Sequence, residues 1–165
     1  MTDRPDRPLL TIVVPMRNEE AGIDAFLGRL LPALDRLDLG YEILCVDDGS
    51  GDGTWERLVE WRGRAPQLKL LSLSRNFGKE VALTAGLDAA RGEAVVLIDA
   101  DLQHPPELIG AFLKKWREGF DMVYAQRRGR RRGVAAPQRR ARLLLGVPAP
   151  GRRGDTRGRR RFPPA

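Results

Sequence analysis

Two acids, Asp99 and Asp101, flank Ala100 at the end of the apolar run Ala94-Val95-Val96-Leu97-Ile98. Residues two apart on a strand point to one face. Strand geometry carried past Ile98 would therefore aim both carboxylates at one point. Such a pair repels unless something positive lies between its members. Mg²⁺ or Mn²⁺ suits that place, because a hard divalent cation takes oxygen ligands and leaves room for phosphate oxygens. Open α/β sheets bind ligands outside the carboxyl ends of their strands. The pattern thus predicts a metal-bound diphosphate at a sheet edge. A bare Asp-x-Asp is more often a solvated acidic turn, so the surrounding residues decide.

A second acidic group, Asp47-Asp48, opens the loop Asp47-Asp48-Gly49-Ser50-Gly51-Asp52-Gly53. A carboxylate accepts hydrogen bonds from ribose hydroxyls or a ring N–H, which suits a nucleoside. It would repel a pyrophosphate. A nucleoside at one end and a metal-bound diphosphate at the other describe a nucleotide-sugar site. Competing readings lack their residues. No Gly-x-Gly-x-x-Gly follows the first strand, no Gly-Lys-Ser/Thr occurs, and no Gly-x-Ser-x-Gly accompanies the single histidine, His104. An aspartyl phosphatase would carry its Asp-x-Asp after the first strand, with Thr two positions beyond the second Asp. Here the pair follows the fourth strand, and position 103 is Gln.

Alternating elements must position these groups. Apolar, β-branched runs predict strands at 9–14 (closed by Pro15), 41–46, 68–73, 94–98 and 122–125. Ile23, Phe26, Leu27, Leu30, Leu31 and Leu34 recur on one helical face, with a kink or break expected at Pro32. Thr54 is expected to cap a helix whose apolar face is Trp55, Leu58 and Val59. A helix over 78–90 should pack through Val81, Ala82 and Ala85, and Pro105-Pro106-Glu107 should open another. Strands alternating with helices imply a doubly wound, mostly parallel α/β sheet with right-handed crossovers. Trp55, Trp61 and Trp116 sit at helical positions and read as packing residues. His104 reads as a hydrogen-bond partner within its loop.

The chain has 165 residues, enough for one domain with a real core. Its one cysteine, Cys45, lies in an apolar run and reads as a small buried hydrophobe. No apolar stretch approaches a membrane span, and the N-terminus lacks a signal-peptide core. A location in the cytoplasm, or peripheral on the cytoplasmic face of a membrane, is expected. The net charge of +7 is unevenly spread. Residues 127–165 hold 14 arginines against one acid, Asp155, so the remainder of the chain is mildly acidic.

Four motifs in order carry a resemblance. They are Val13-Val14-Pro15-Met16-Arg17-Asn18-Glu19, Val46-Asp47-Asp48-Gly49-Ser50, Asp52-Gly53-Thr54 and Asp99-Ala100-Asp101-Leu102-Gln103-His104-Pro105-Pro106-Glu107. With them, residues 9–127 resemble a family 2 glycosyltransferase of the GT-A fold. Ser74-Arg75-Asn76-Phe77-Gly78-Lys79-Glu80 with Ala85-Gly86-Leu87 is similar to the subgroup that charges polyprenyl phosphates: bactoprenol glucosyltransferases and dolichol-phosphate mannose synthases. The resemblance implies transfer of a hexose from a UDP- or GDP-sugar to a polyprenyl phosphate, assisted by Mg²⁺ or Mn²⁺. It implies a nucleoside pocket of Pro15, Asn18, Glu19, Val46 and Asp48. Asp99 and Asp101 would be the catalytic acids, and Asp101 and Gln103 the metal ligands. Ala100 would let its backbone approach the phosphate, and Arg75, Lys79 and Arg127 would meet phosphates of donor or acceptor. Met16 stands where the family often has Tyr, which weakens base stacking there.

Residues 1–8 are expected to be disordered, and residues 128–165 change character. Thirty of the 39 positions from 127 onward are Arg, Gly, Pro or Ala, whose codons are GC-rich, as in a shifted reading frame beginning near 128–134. On this reading the chain is the N-terminal nucleotide-binding half of the fold, with a disordered arginine-rich tail. It would bind donor weakly and transfer sugar poorly. The competing reading is a non-catalytic module whose tail binds nucleic acid or an anionic membrane surface.

Overall fold

The computed structural model describes residues 9–125. Four strands, β1 (Leu10–Met16), β2 (Tyr41–Asp47), β3 (Leu68–Ser72) and β4 (Ala94–Leu97), form one parallel sheet in the order β3-β2-β1-β4. Helices α1 (Ile23–Asp35), α2 (Thr54–Arg64), α3 (Lys79–Ala89) and α4 (Ile109–Arg117) follow the successive strands, α4 after a 3-10 turn at Pro106–Leu108. The chain moves outward through β1, β2 and β3, then returns to place β4 on the other side of β1.

Alternation along β1 splits the core. Leu10, Ile12, Val14 and Met16 pack with Phe26 and Leu30 of α1, Leu58 of α2, and Ile109 and Phe112 of α4. Val13 faces the opposite layer, with Leu44, Val46, Val95 and Leu97 against Ala82 of α3. Strands covered on both faces are apolar throughout. Cys45 is fully buried, and burial pushes its thiol up to about 12.

One polar cluster is built at the amino-terminal ends of β1 and β2. The Thr11 hydroxyl donates to Glu42 Oε1 at 2.8 Å, Arg91 N–H donates to the same oxygen at 2.9 Å, and Gly92 N–H donates to Thr11 Oγ1 at 2.8 Å. A Cβ on Gly92 would lie 2.5 Å from Thr11 N, so only glycine lets the turn approach β1 this closely. These bonds fix where β4 begins.

Several local expectations need correction. Pro15 does not close β1, which continues through Met16 paired with Asp47. Pro32 does not break α1, which runs on to Asp35 with Leu34 fully buried. Thr54 is the first residue of α2 and not its cap. Its N–H and its hydroxyl both donate to Asp52 Oδ1. Val59 and Val81 are solvent-facing at 48% and 45% exposure, because Leu58 and Ala82 with Gly86 supply the contacts instead. The segment at 122–125 makes an isolated bridge at Val123 and no strand, while Val123 and Ala125 pack on the core. The expectations for 1–8 and 128–165 lie outside the described residues.

Gly86 sets the spacing of α3 over the sheet. A Cβ there would fall 2.3 Å from Val13 Cγ1 and 3.2 Å from Val46 Cγ2. Gly86→Ala gains about 1 kcal/mol of helix propensity but overpacks a rigid β-branched pair, so a net loss of about 1–2 kcal/mol is expected. Urea denaturation followed by circular dichroism measures it.

Candidate functional site

The carboxyl ends of β1 and β4 part at a defined rung. Ile98 N–H donates to Val13 O at 3.1 Å. The next rung of a parallel ladder would need an N–H from Pro15, which proline lacks. Meanwhile β1 keeps its hold on β2, because Asp48 N–H donates to Met16 O at 2.9 Å. The sheet therefore opens between β1 and β4, where strand order reverses and open α/β sheets bind ligands. A cleft of about 480 Å³ lies there, walled by Pro15 and Met16 on one side and by Asp99, Ala100 and Asp101 on the other.

Strand geometry does not persist into the acidic pair, correcting the alternation argument. β4 ends at Leu97, and Ala100 and Asp101 lie in a turn. Leu102 adopts φ 56°, and Asp101 Oδ1 accepts the Gln103 N–H at 3.0 Å. A left-handed leucine is costly, by about 1–3 kcal/mol, and residues so held cluster at functional sites. Both carboxylates nevertheless line the cleft with Gln103 and His104. His104 Nε2 is buried without a hydrogen-bond partner among the described residues, so the partner expected within its loop is not found for that atom.

Charge is concentrated here. Lys79 Nζ lies 2.5 Å from Asp99 Oδ1. Glu19 faces the same space, and its pKa is raised by burial first, then by repulsion from Asp101, Asp52 and Asp99.

The other acids serve the backbone. Asp47 Oδ1 accepts from the Ser50 N–H at 3.2 Å and from its hydroxyl. Asp48 accepts Phe77 N–H at 2.8 Å and Gly78 N–H at 2.9 Å, one amide on each oxygen. Asp48 thereby ties β2 to the loop that starts α3 while still lining the cleft. Gly49, at φ 62°, lets the β2 loop approach Arg75 and Asn76, where a Cβ would lie 2.5 Å from Arg75 C. Asn18 N–H donates to Ser50 Oγ, Gly51 N–H donates to Asn18 Oδ1, and Glu19 N–H donates to Thr54 Oγ1, each at 2.9 Å. These bonds knit the loop after β1 to the loop after β2.

The cleft thus gathers Pro15, Glu19, Asp48, Lys79, Asp99, Ala100, Asp101 and Gln103. Asn18 and Val46 do not line it. Asn18 serves the neighbouring loop, and Val46 is fully buried against α3. Arg75 stands outside the lining, with its guanidinium 4.6 Å from the Phe77 ring centre, and Arg127 lies beyond the described residues. Arg17 and Asn76 also line the cleft, without having been assigned from sequence to the nucleoside or metal end. Arg17 stands beside Asn18 in the motif after β1, and Asn76 beside Arg75 in the motif before α3. Trp61 packs against the core and donates Nε1–H to Asp24 at 2.7 Å, and Trp116 packs on the same core.

The four-stranded parallel sheet with helices on both faces is similar to that of GT-A glycosyltransferases. The model for Glycosyl transferase family 2 matches residues 11–163, and the chain belongs to that family. The match runs past the motif-bearing 9–127 into the arginine-rich segment. An uncharacterized glycosyltransferase of Synechocystis sp. is 50% identical over 138 residues, 84% of this chain and 43% of that protein. The bactoprenol glucosyl transferase of Shigella phage SfV is 42% identical over 121 residues, 73% of this chain and 39% of its own length. Among solved structures, the mannosyltransferase PcManGT of Pyrobaculum calidifontis, in complex with GDP-Man and Mn²⁺, superposes with a TM-score of 0.58 at 33% identity. That likeness covers 70% of this chain and 34% of the mannosyltransferase. The chain spans less than half the length of these relatives. No helix among the described residues is long and apolar enough to cross a membrane.

The raised pKa of Glu19 has a thermodynamic consequence. The folded chain holds this proton more tightly than the unfolded chain does, so the associated stability is full below the ordinary Glu range and is lost as pH rises through the raised value. Glu19→Gln removes the penalty of charging. Its thermal midpoint at pH 7 should exceed the parent's, and the difference should vanish as pH falls below about 4.5. Thermal melts from pH 3.5 to 7.5 test this.

Proposed function

We propose that the cleft binds a nucleoside-diphosphate sugar and that the chain provides the donor side of a metal-assisted hexose transfer to a polyprenyl phosphate. The observation that carries the reading is the meeting of Asp99, Asp101, Gln103, Lys79, Glu19 and Asp48 around one cleft at the strand-order reversal. The bactoprenol name of one relative and the GDP-Man and Mn²⁺ of one structural neighbour support the acceptor class and the donor class.

The donor set suits a hard cation. Asp99, Asp101 and Gln103 offer only oxygen ligands, the preference of Mg²⁺ and Mn²⁺. No group of three His, Cys, Asp or Glu side chains that could hold a metal by itself is present among the described residues, so the remaining ligands would come from the donor's phosphates and water. Asp101 and Gln103 would hold the ion, with Asp99 as a further ligand once it is free of Lys79, and the ion when bound offsets charge growing on the departing nucleoside diphosphate. Asp48 and Pro15 would wall the nucleoside end, and Ala100, lacking a bulky side chain, would admit the diphosphate beside the backbone. Lys79 and Arg17 would meet its oxygens. An acceptor phosphate is already anionic. One of its oxygens bonds to the anomeric carbon as that carbon's bond to the diphosphate breaks, and no strong base is needed.

Isothermal titration with UDP-glucose and GDP-mannose, with and without Mn²⁺, tests the reading. One of the two should bind in a Mn²⁺-dependent manner, and Asp101→Ala should weaken that binding about tenfold or more. Donor binding indifferent to Mn²⁺ and to Asp101 would sink the metal-assisted reading. Salt-sensitive nucleic-acid binding without donor binding would favour the arginine-tailed module instead.

A further inference from the structure

Lys79 occupies an unusual place. It is the first residue of α3, where the helix dipole disfavours a cation. Its ammonium instead crosses to Asp99 Oδ1, 2.5 Å away. The cleft lining carries four acids (Glu19, Asp48, Asp99 and Asp101) against two bases, Arg17 and Lys79. A diphosphate entering that field is repelled unless cations turn toward it. The Lys79 and Asp99 side chains are 56% and 37% exposed, and a pair this open to water is weak and readily exchanged. Lysine is also suited to exchange: its charge is compact, its stem flexible, and its three donors need no fixed plane.

We propose that Lys79 is a tethered counter-ion, occupying Asp99 while the cleft is free of donor and passing to the donor's diphosphate when a divalent cation takes over Asp99. The inference rests on the donor-site reading above and extends it. Lysine and metal compete for one carboxylate, so Lys79 suppresses metal binding in the absence of donor. Donor phosphates draw the lysine away and supply the metal's missing ligands. Cation and donor then raise each other's affinity by the same factor, as linkage requires. Lys79 is in this sense a positioning residue that couples the two ligands.

The test uses the full chain and Mn²⁺ alone, with free Mn²⁺ followed by electron paramagnetic resonance. Lys79→Gln should bind Mn²⁺ about threefold to tenfold more tightly than the parent, since a nearby competing charge is gone. Lys79→Arg, which keeps the charge, should stay close to the parent. In the presence of Mn²⁺, UDP or GDP should bind Lys79→Gln about fivefold or more weakly than the parent. Equal or weaker Mn²⁺ binding by Lys79→Gln overturns the competition, whatever the nucleotides do. Nucleotide affinity unchanged in Lys79→Gln overturns the hand-over. If neither nucleotide binds the parent with Mn²⁺, the donor reading and the hand-over fail together, and the Mn²⁺ titration still judges the Lys79–Asp99 competition by itself.

Discussion

The hydrogen bond that Pro15 cannot make determines the geometry of this chain. A parallel sheet covered on both faces has no inherent reason to open. Here β1 is held to β2 as far as Met16 and Asp47, but its last pair with β4 is Val13 with Leu97, three residues earlier. The imbalance frees the β4 end to turn at Ala100 and Asp101, and the left-handed Leu102 completes that turn. Pro15, with its absent donor, lines the same cleft as Asp99, Ala100 and Asp101.

Identical side chains do opposite work around that opening. Asp47, Asp48 and Asp52 are partnered by amides and hydroxyls of their own and neighbouring loops. Their charge is spent on architecture. The Asp99 carboxylate is instead balanced by one exposed lysine, and Asp101 takes a single amide from its own turn. Hydrogen bonds to a carboxylate and nearby cations favour its charged form, whereas desolvation opposes it. Burial first, and then repulsion from Asp101, Asp52 and Asp99, raises the pKa of Glu19 in the same cleft.

Much of this was legible in the residues. Strand–helix alternation, the buried face of α1 and the place of the acidic pair after the fourth strand follow from apolar periodicity and turn residues, which are local properties. The missed features are non-local. Pro15 looks like a strand end until its neighbours are known, because a proline is tolerated where its nitrogen faces an unpaired edge. Val59 and Val81 fit a helical stripe, but the distance to the sheet selects smaller residues for α3. Thr54 has the composition of a cap, yet it is the first helical residue, and its N–H is taken by Asp52 two residues before it. Val46 and Asn18 stand inside recognisable motifs, and a motif does not say which members face the ligand and which hold the loop. Asp99 and Asp101 share a cleft lining although β4 ends at Leu97, because a turn and not strand alternation brings them there.

Thr54 has a further mechanical consequence. Its fully buried side chain accepts from the loop after β1 and donates to the loop after β2, while Asp48 fastens the entrance of α3. Three loop segments therefore form a stiff cradle that cannot deform piecemeal. The turn from Asp99 to His104 meets this cradle through the ion pair of Asp99 with Lys79.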